Sequence, residues 1–433
     1  MDTDATKRYG WIIFGVLASI YFLTCLHRVA PTVIARDLAQ AFNADAVVLG
    51  VIASSYFYLY SAVQPPVGIL ADTIGPRTVV TIFTFIAAIG GFIFATAGSA
   101  TMSTIGRALV GAGVGGVFVP ALKIFSRWFR ASEFASLTGI LLAVSGLGGL
   151  AAALPLTYMV LFLGWRLSFI ILAVFSMLLA LICWVVVRDR PEDKGWPPVE
   201  ADAAQSRHVA SEPNENLGTF RRLGIIFRNF NFWMITMAMF FSGGAALAFQ
   251  GLWAVPYLID VYGLSRAKAG GLLMLIPFGF AVGAPLFGLL IDRFALNRKM
   301  VIVGSTILSL LSWTILLLFG GRVSYVLVIP LFLGFGLLGG GALTIFMTIT
   351  KELFPPWLTG TAVGLMNPAG FLSTAFYQPF TGYLLDRVGQ LDSGAYPLEA
   401  YQHIFIAFLI SFIITLMATL MLSLPKHSPS LER

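Results

Sequence analysis

The chain has 433 residues, 58% of them hydrophobic and only 11% charged, with a mean hydropathy of +0.88 and a net charge of +7. A soluble chain carries roughly 25% charged residues, so this one cannot cover its surface with polar groups and its solvent must largely be lipid. Two cysteines and four scattered histidines, without HExxH, GxSxG or GxxxxGK[ST] spacing, give no support to a disulfide framework, a metal centre, a hydrolase or an ATP-driven machine, and no cofactor is expected.

Stretches of about 20 apolar residues read as membrane-spanning helices. Twelve are predicted, at 11–38, 46–70, 78–97, 101–125, 135–160, 165–187, 229–256, 267–290, 299–319, 323–350, 360–385 and 400–424. The first is too long for a cleavable signal and ends in no clean cleavage site, so it should remain as helix one.

Helix one carries FLTCLHRVAPTV at residues 22–33. Arg28 lies deep in the span, and an intramembrane guanidinium is a functional candidate by default. It either binds substrate or satisfies carbonyls and helix ends. Tyr21 and Thr24 share its face at i−7 and i−4, and its planar fork suits a carboxylate. His27 points about 100° away; it either donates to a neighbouring helix or, as the one deep group that titrates near neutrality, carries a proton.

On helix two, Tyr56, Tyr60 and Gln64 share a face before the loop GILADTIGPR. Helix four holds Arg107 about one and a half turns in. After helix six, residues 189–228 are polar and rich in Pro, Glu, Asp and Ser; they read as a linker with a short surface helix near 218–226. Helix seven presents Gln250, Trp253 and Tyr257 on one face, and helix eleven presents Asn367, Phe371, Thr374 and Gln378. These faces would line a cavity with apolar walls and a few hydrogen-bonding groups.

The linker splits the spans six and six. GILAD at 68–72 repeats as GLLID at 288–292, so Asp292 copies Asp72; Phe129 and Gly139 map to Phe354 and Gly364. Internal symmetry of this kind is a transporter signature, with the site near the midplane between repeats. The units are therefore an N-terminal half 1–188, a linker 189–228 and a C-terminal half 229–433. Lys and Arg are richer on the side of the first tail and the linker, which places both termini and the linker in the cytoplasm. The basic surplus is thus a topology signal, and no nucleic acid is expected.

Twelve spans in two halves around GILADTIGPR resemble the major facilitator superfamily, whose loop pattern Gly68, Leu70, Asp72, Gly75 and Arg77 match. The resemblance implies alternating access, with Asp72 near Arg127 and Arg130 in a contact that switches between states. It implies no enzyme activity. Arg28 followed by VAPTVIARDL, the Gly164, Trp165 and Arg166 group, and RDRPEDKGWPP are similar to the organophosphate:phosphate antiporter and anion:cation symporter families. In these a helix-one arginine contacts the anionic substrate, which by resemblance is Arg28. Arg107 matches a common helix-four arginine, structural or part of coupling. Gln64 replaces the antiporters' helix-two lysine, and AALAFQG before Trp253 carries no charge, so a single anion or zwitterion suits one arginine better than a phosphate ester. The expectation is an all-α secondary transporter of the bacterial inner membrane. It would work as a monomer in the lipid bilayer on a small organic anion, with a proton or another ion as coupling partner. An amino acid or organophosphate transporter, or a non-transporting membrane sensor, are the alternatives.

Overall fold

Helix starts in this chain are set by short polar side chains and proline. Asp45 accepts from the Val48 amide at 2.8 Å to open one helix, and Ser99, Asn229, Ser265 and Asn297 do the same for four others. Each satisfies an amide that the first helical turn leaves free. Pro31, Pro76, Pro356 and Pro368 stand in the first turn of their helices, where a missing N–H costs nothing.

The computed structural model describes residues 3–197, 199, 219–294, 296–322 and 324–423. Its helices in the first half are α1 (Thr3–Val29), α2 (Pro31–Phe42), α3 (Ala46–Thr73), α4 (Pro76–Thr96), α5 (Ala100–Gly115), α6 (Phe118–Trp128) and α7 (Ala131–Val186). A short α8 (Thr219–Phe227) precedes α9 (Phe230–Ala248), a π turn (Phe249–Trp253), α10 (Ala254–Tyr262), α11 (Arg266–Leu273), α12 (Leu275–Phe294) and α13 (Arg298–Phe319). Then follow α14 (Val328–Leu353), α15 (Pro356–Met366), α16 (Pro368–Val388) and α17 (Leu398–Met421). There is no strand among the described residues, in keeping with the all-α expectation.

Ten stretches are long and apolar enough to cross a membrane. One of them, Ser132–Val186, is two rods: Gly164 at φ 74° and ψ 160° turns the chain within a single residue, a conformation open to glycine and costly to a side chain. Residues 356–388 form one further rod, α15 and α16 end to end, which is less apolar because it carries Asn367, Thr374, Gln378 and Thr381. The described residues thus hold twelve long rods, and α8 is the short helix expected near 218–226.

The rods run further than hydropathy suggested. The first covers 3–42, broken at Ala30 before Pro31, instead of 11–38; the seventh reaches Tyr262 instead of 256. Both extensions contain charges, Arg36, Asp37 and Asp260, which hydropathy reads as loop. They remain helical because they find partners in the other half. Within the first half α1 packs on α7, α4 on α5 and α7, and α3 on α5; within the second, α12 packs on α14, α9 on α16 and α17, and α13 on α17. The largest junction between the two groups is α3 against α16, helped by α11 against α7 and the π turn against α2.

Candidate functional site

Arg28 is in the last turn of α1 and half-buried. Its guanidinium carbon lies 4.9 Å from the ring centroid of Phe371 and 5.6 Å from that of Tyr60. Tyr21, Cys25, Tyr56 and Tyr60 surround it. Its Nε has no hydrogen-bond partner, and none of the ion pairs among the described residues includes it. The helical spacing of 21, 25 and 28 on α1 and of 56, 60 and 64 on α3 brings these side chains to one place. The Tyr56 hydroxyl donates to the Thr24 carbonyl at 3.1 Å, Tyr56 stacks on Tyr60 at 5.9 Å, and Tyr60 meets Phe371 edge-on at 4.8 Å. Aromatic faces attract a cation by ~0.5–2 kcal/mol, far short of replacing a counter-ion at a desolvated position. The group holds an unneutralised positive charge where the two halves meet, which is what an anionic ligand needs.

The other expected cavity residues divide. Gln64 lies against Tyr60, and Gln250 and Asn367 are half-buried. Thr24 is fully buried with its hydroxyl unpartnered. Gln378 is fully buried, and neither amide atom has a partner; it points toward Gly251 in the π turn, which also lies close to the Arg28 carbonyl. Trp253 is buried, its indole N–H donating to Thr381 Oγ1 at 2.7 Å. Tyr257 is not on the Arg28 face. It sits among Phe249, Tyr262, Tyr401 and Phe405 in the aromatic core of the second half, because the π turn inserts a residue and rotates everything after Trp253 away from the helical register assumed for 250, 253 and 257. π turns gather at functional sites, yet FQGLW carries no sequence mark of one.

His27 faces the interior of the first half, away from Arg28. Both ring nitrogens are buried without partners, and they line a void of about 10 Å³ with Thr84 and Ser176, room for about one water. Arg107, also fully buried, donates from Nη1 to the His27 carbonyl at 3.0 Å and stacks over Tyr56 at 4.9 Å; its Nη2 is unpartnered.

At one end the halves are fastened. Arg36 of α2 pairs with Asp260 of α10, and Asp37 with Arg266 of α11 at 2.9 Å. Asp260 also accepts from the Tyr401 hydroxyl at 2.7 Å and the Tyr396 amide at 3.2 Å. Asp386, in the last turn of α16, accepts from the Ala46 and Val47 amides at 2.9 and 2.8 Å. A carboxylate here meets both the free amides and the positive end of the α3 dipole. Tyr396 donates to the same carboxylate at 2.5 Å; burial and Asp386 push this phenol well above its usual range, so it stays a donor at physiological pH. The closeness is possible because Gly50 and Gly382 lack side chains: a Cβ at Gly50 would come within 2.6 Å of the Pro379 Cα, and one at Gly382 within 2.6 Å of the Ala46 carbonyl carbon. Sequence reading counted Arg36 and Arg266 only as loop cations and missed Asp37, Asp260, Asp386, Tyr396 and Tyr401. The alternation of opposite charges in IARDL and LIDVYGLSR was the available signal.

At the other end the ion pairs stay within a half: Asp72 with Lys123, Arg298 with Glu352, and Lys7 with Glu133. Asp72 was expected near Arg127 and Arg130; its partner is instead Lys123, one turn earlier on α6, while Arg127 is exposed. Arg77 stacks over Trp184 at 4.3 Å and donates to its carbonyl, and its amide donates to Asp189 at 2.7 Å. The side chain of Asp292 lies outside the described residues, as do Ser206 and Ser428 in the linker and tail.

Helical rods gathered around an uncompensated cation at the seam of two bundles, with one end of the seam fastened by ion pairs, define a multi-pass membrane transporter and not an enzyme. The chain belongs to the Major Facilitator Superfamily, whose family model matches residues 13–377 and 254–433. It is 27% identical over 393 residues to a probable sulfoacetate transporter of Cupriavidus necator, covering 88% of each chain. It is 24% identical over 395 residues to the hexuronate transporter of Escherichia coli, covering 88% of this chain and 89% of that one. In fold it is similar to a bacterial homologue of the human lysosomal transporter Spinster, solved inward-facing and unoccupied, with a TM-score of 0.76, 19% identity and 95% and 96% of the two chains covered.

Proposed function

We propose that this chain carries a small organic anion, bound through a carboxylate at Arg28, by alternating access of the halves 1–188 and 229–433 around that residue. The observation that carries the reading is the half-buried guanidinium with a free Nε and no acidic partner at the seam. A bidentate carboxylate is the group that matches its fork. The named substrates of two relatives, sulfoacetate and hexuronate, are organic acids, which supports the class. Tyr60, Gln64 and Phe371 flank the anion, and Gln250, Asn367 and Gln378 receive the rest of the ligand. His27 is the coupling group, and the protein works as a monomer in the inner membrane.

With both termini and the linker in the cytoplasm, the fastened end faces outward and the structure is an inward-facing state. Reporters fused at Ser206 and at Ser428 should then both give cytoplasmic signals; a periplasmic signal at either sinks the topology.

The substrate class is tested by thermal shift of the purified protein against sulfoacetate, hexuronates, amino acids and glycerol 3-phosphate. A ligand that binds only the folded state raises its apparent stability. An organic acid should raise it, and the rise should vanish in Arg28→Gln. A rise with amino acids or phosphate esters alone overturns the carboxylate assignment.

A further inference from the structure

The largest hollow lies outside the seam. A groove of about 670 Å³ runs between α16 and α17 at the fastened end, and its lining includes Phe380, Leu384, Arg387, Glu399, His403 and Ile406. The order of these residues along the helices gives it a polar and an apolar end. Arg387 is in the last turn of α16 and Glu399 in the first turn of α17, with His403 one turn on. Phe380 and Leu384 precede Arg387 by about two and one turns, and Ile406 and Ile410 follow His403 toward the centre of the rod. The polar groups therefore cluster where the two helices leave the bilayer, and the apolar ones lie below them.

This face meets lipid. Ile406, Ile410, Ile413, Met417 and Leu420 form an exposed apolar stripe along α17, and Phe376 and Tyr383 are exposed on α16. Arg387 and Glu399 are exposed too. No hydrogen bond or ion pair among the described residues involves the side chain of Arg387, Glu399 or His403. A cation and a carboxylate held apart at the mouth of an apolar groove, at interface depth, match a molecule with opposite charges in its headgroup and a hydrocarbon chain.

We infer that the groove is a binding site for a phospholipid with a primary ammonium headgroup, the chemistry of phosphatidylethanolamine. Arg387 holds the phosphate, since a guanidinium fork matches phosphate oxygens. His403 stands beside the phosphate, and Glu399 accepts from the ammonium. One acyl chain lies along Phe380, Leu384, Ile406 and Ile410. A choline headgroup has no N–H to give Glu399, and a glycerol headgroup has no positive charge to offer it. The charge pattern thus selects among lipids of equal chain length. Because α16 carries Asp386 next to Arg387, the bound lipid abuts the rod that fastens the outer end.

The test is native mass spectrometry of the delipidated full-length protein. It is titrated with an equimolar mixture of phosphatidylethanolamine, phosphatidylcholine and phosphatidylglycerol of identical chains. The wild type should retain one ethanolamine lipid in preference to the other two. Arg387→Gln should lower retention of all three about tenfold, the effect of losing one charge-assisted hydrogen bond. Glu399→Gln should remove the preference for ethanolamine over choline while leaving choline retention unchanged. Ile406→Trp, which fills the groove without touching the charges, should lower retention of every lipid. Equal retention of ethanolamine and choline lipids by the wild type overturns the proposal, as does preferred retention of the glycerol lipid. Unchanged ethanolamine selectivity in Glu399→Gln overturns it as well. Each variant is compared at the wild-type elution volume in detergent.

Discussion

A guanidinium in a desolvated place needs a partner, and Arg28 lacks an acidic one of its own. Removing a partner from a buried charge typically costs ~2–5 kcal/mol, and each 1.4 kcal/mol is about tenfold in affinity. Arg28→Gln should therefore weaken binding of an anionic substrate at least about thirtyfold, and Arg28→Lys should recover only part of it because an ammonium lacks the planar fork. A neutral analogue of the same shape should bind both forms nearly equally. A folded Arg28→Gln variant within threefold of wild type in a direct binding assay would make the arginine structural. His27 belongs to a separate cluster, with its carbonyl on Arg107 and its ring in the small void beside Thr84 and Ser176. If it carries the coupling proton, His27→Gln should abolish uptake driven by a pH gradient and leave substrate exchange intact; proton-driven uptake at the wild-type rate in that variant ends the assignment. Both residues could be picked out in sequence because charge and imidazole are conspicuous in an apolar run. Their separation was legible from the 100° between neighbours on a helix. What each one touches was not, since no helical periodicity names the residue across a helix–helix seam.

Among the elements, α2, α10 and α16 carry the fastening, and its asymmetry predicts which loss matters more. Asp260 is 4% exposed while Arg36 is 41% exposed. Arg36→Gln strands a buried carboxylate on two remaining donors, Tyr401 and the Tyr396 amide. Asp260→Asn leaves an arginine that water can reach. Opening of the outer end should therefore increase in both variants, and more in Arg36→Gln. Adding Asp260→Asn to Arg36→Gln should reverse part of the excess. The readout is labelling of a cysteine placed at Thr32, whose hydroxyl now accepts from the Val255 amide inside the seam, with a reagent added from outside. Equal labelling in the wild type and Arg36→Gln would show that the ion pair does not hold the end closed. Spans and caps in this region were readable, because hydropathy and N-cap chemistry are local. The fastening was not: Arg36 and Asp260 are 224 residues apart, and each alone looks like a loop charge. The π turn defeated the register of helix seven for a different reason. It adds one residue to a turn without any residue type that demands it, so Tyr257 was placed on the wrong face.

For the molecule as a whole, the repeat in the sequence announced two bundles, and the composition announced lipid, because both are properties of the entire chain. The state of the seam between the bundles is set by close approach at a few points, and Gly50 is the tightest on α3. A side chain there would overlap the backbone of Gln378 and Pro379 on α16, and rod backbones cannot yield locally as a flexible side chain would. Gly50→Val should therefore wedge α3 from α16 and move the population toward opening at the outer end without touching Arg28. The native chain supplies a reporter: Cys25 is half-buried beside Arg28, with its sulfur 2.8 Å from Ser145 Oγ, and the other cysteine, Cys183, is buried. In a Cys183→Ala background, a membrane-impermeant maleimide should label Cys25 slowly in right-side-out vesicles of the parent and faster in inside-out ones. Gly50→Val should reverse that order. A ligand that prefers one state can shift a two-state balance only by its differential affinity, so the Gly50→Val protein should also bind substrate differently from the two sides. A variant that folds, transports at the parent rate and labels at the parent rate from both sides would show that the α3–α16 contact is not what separates the two states.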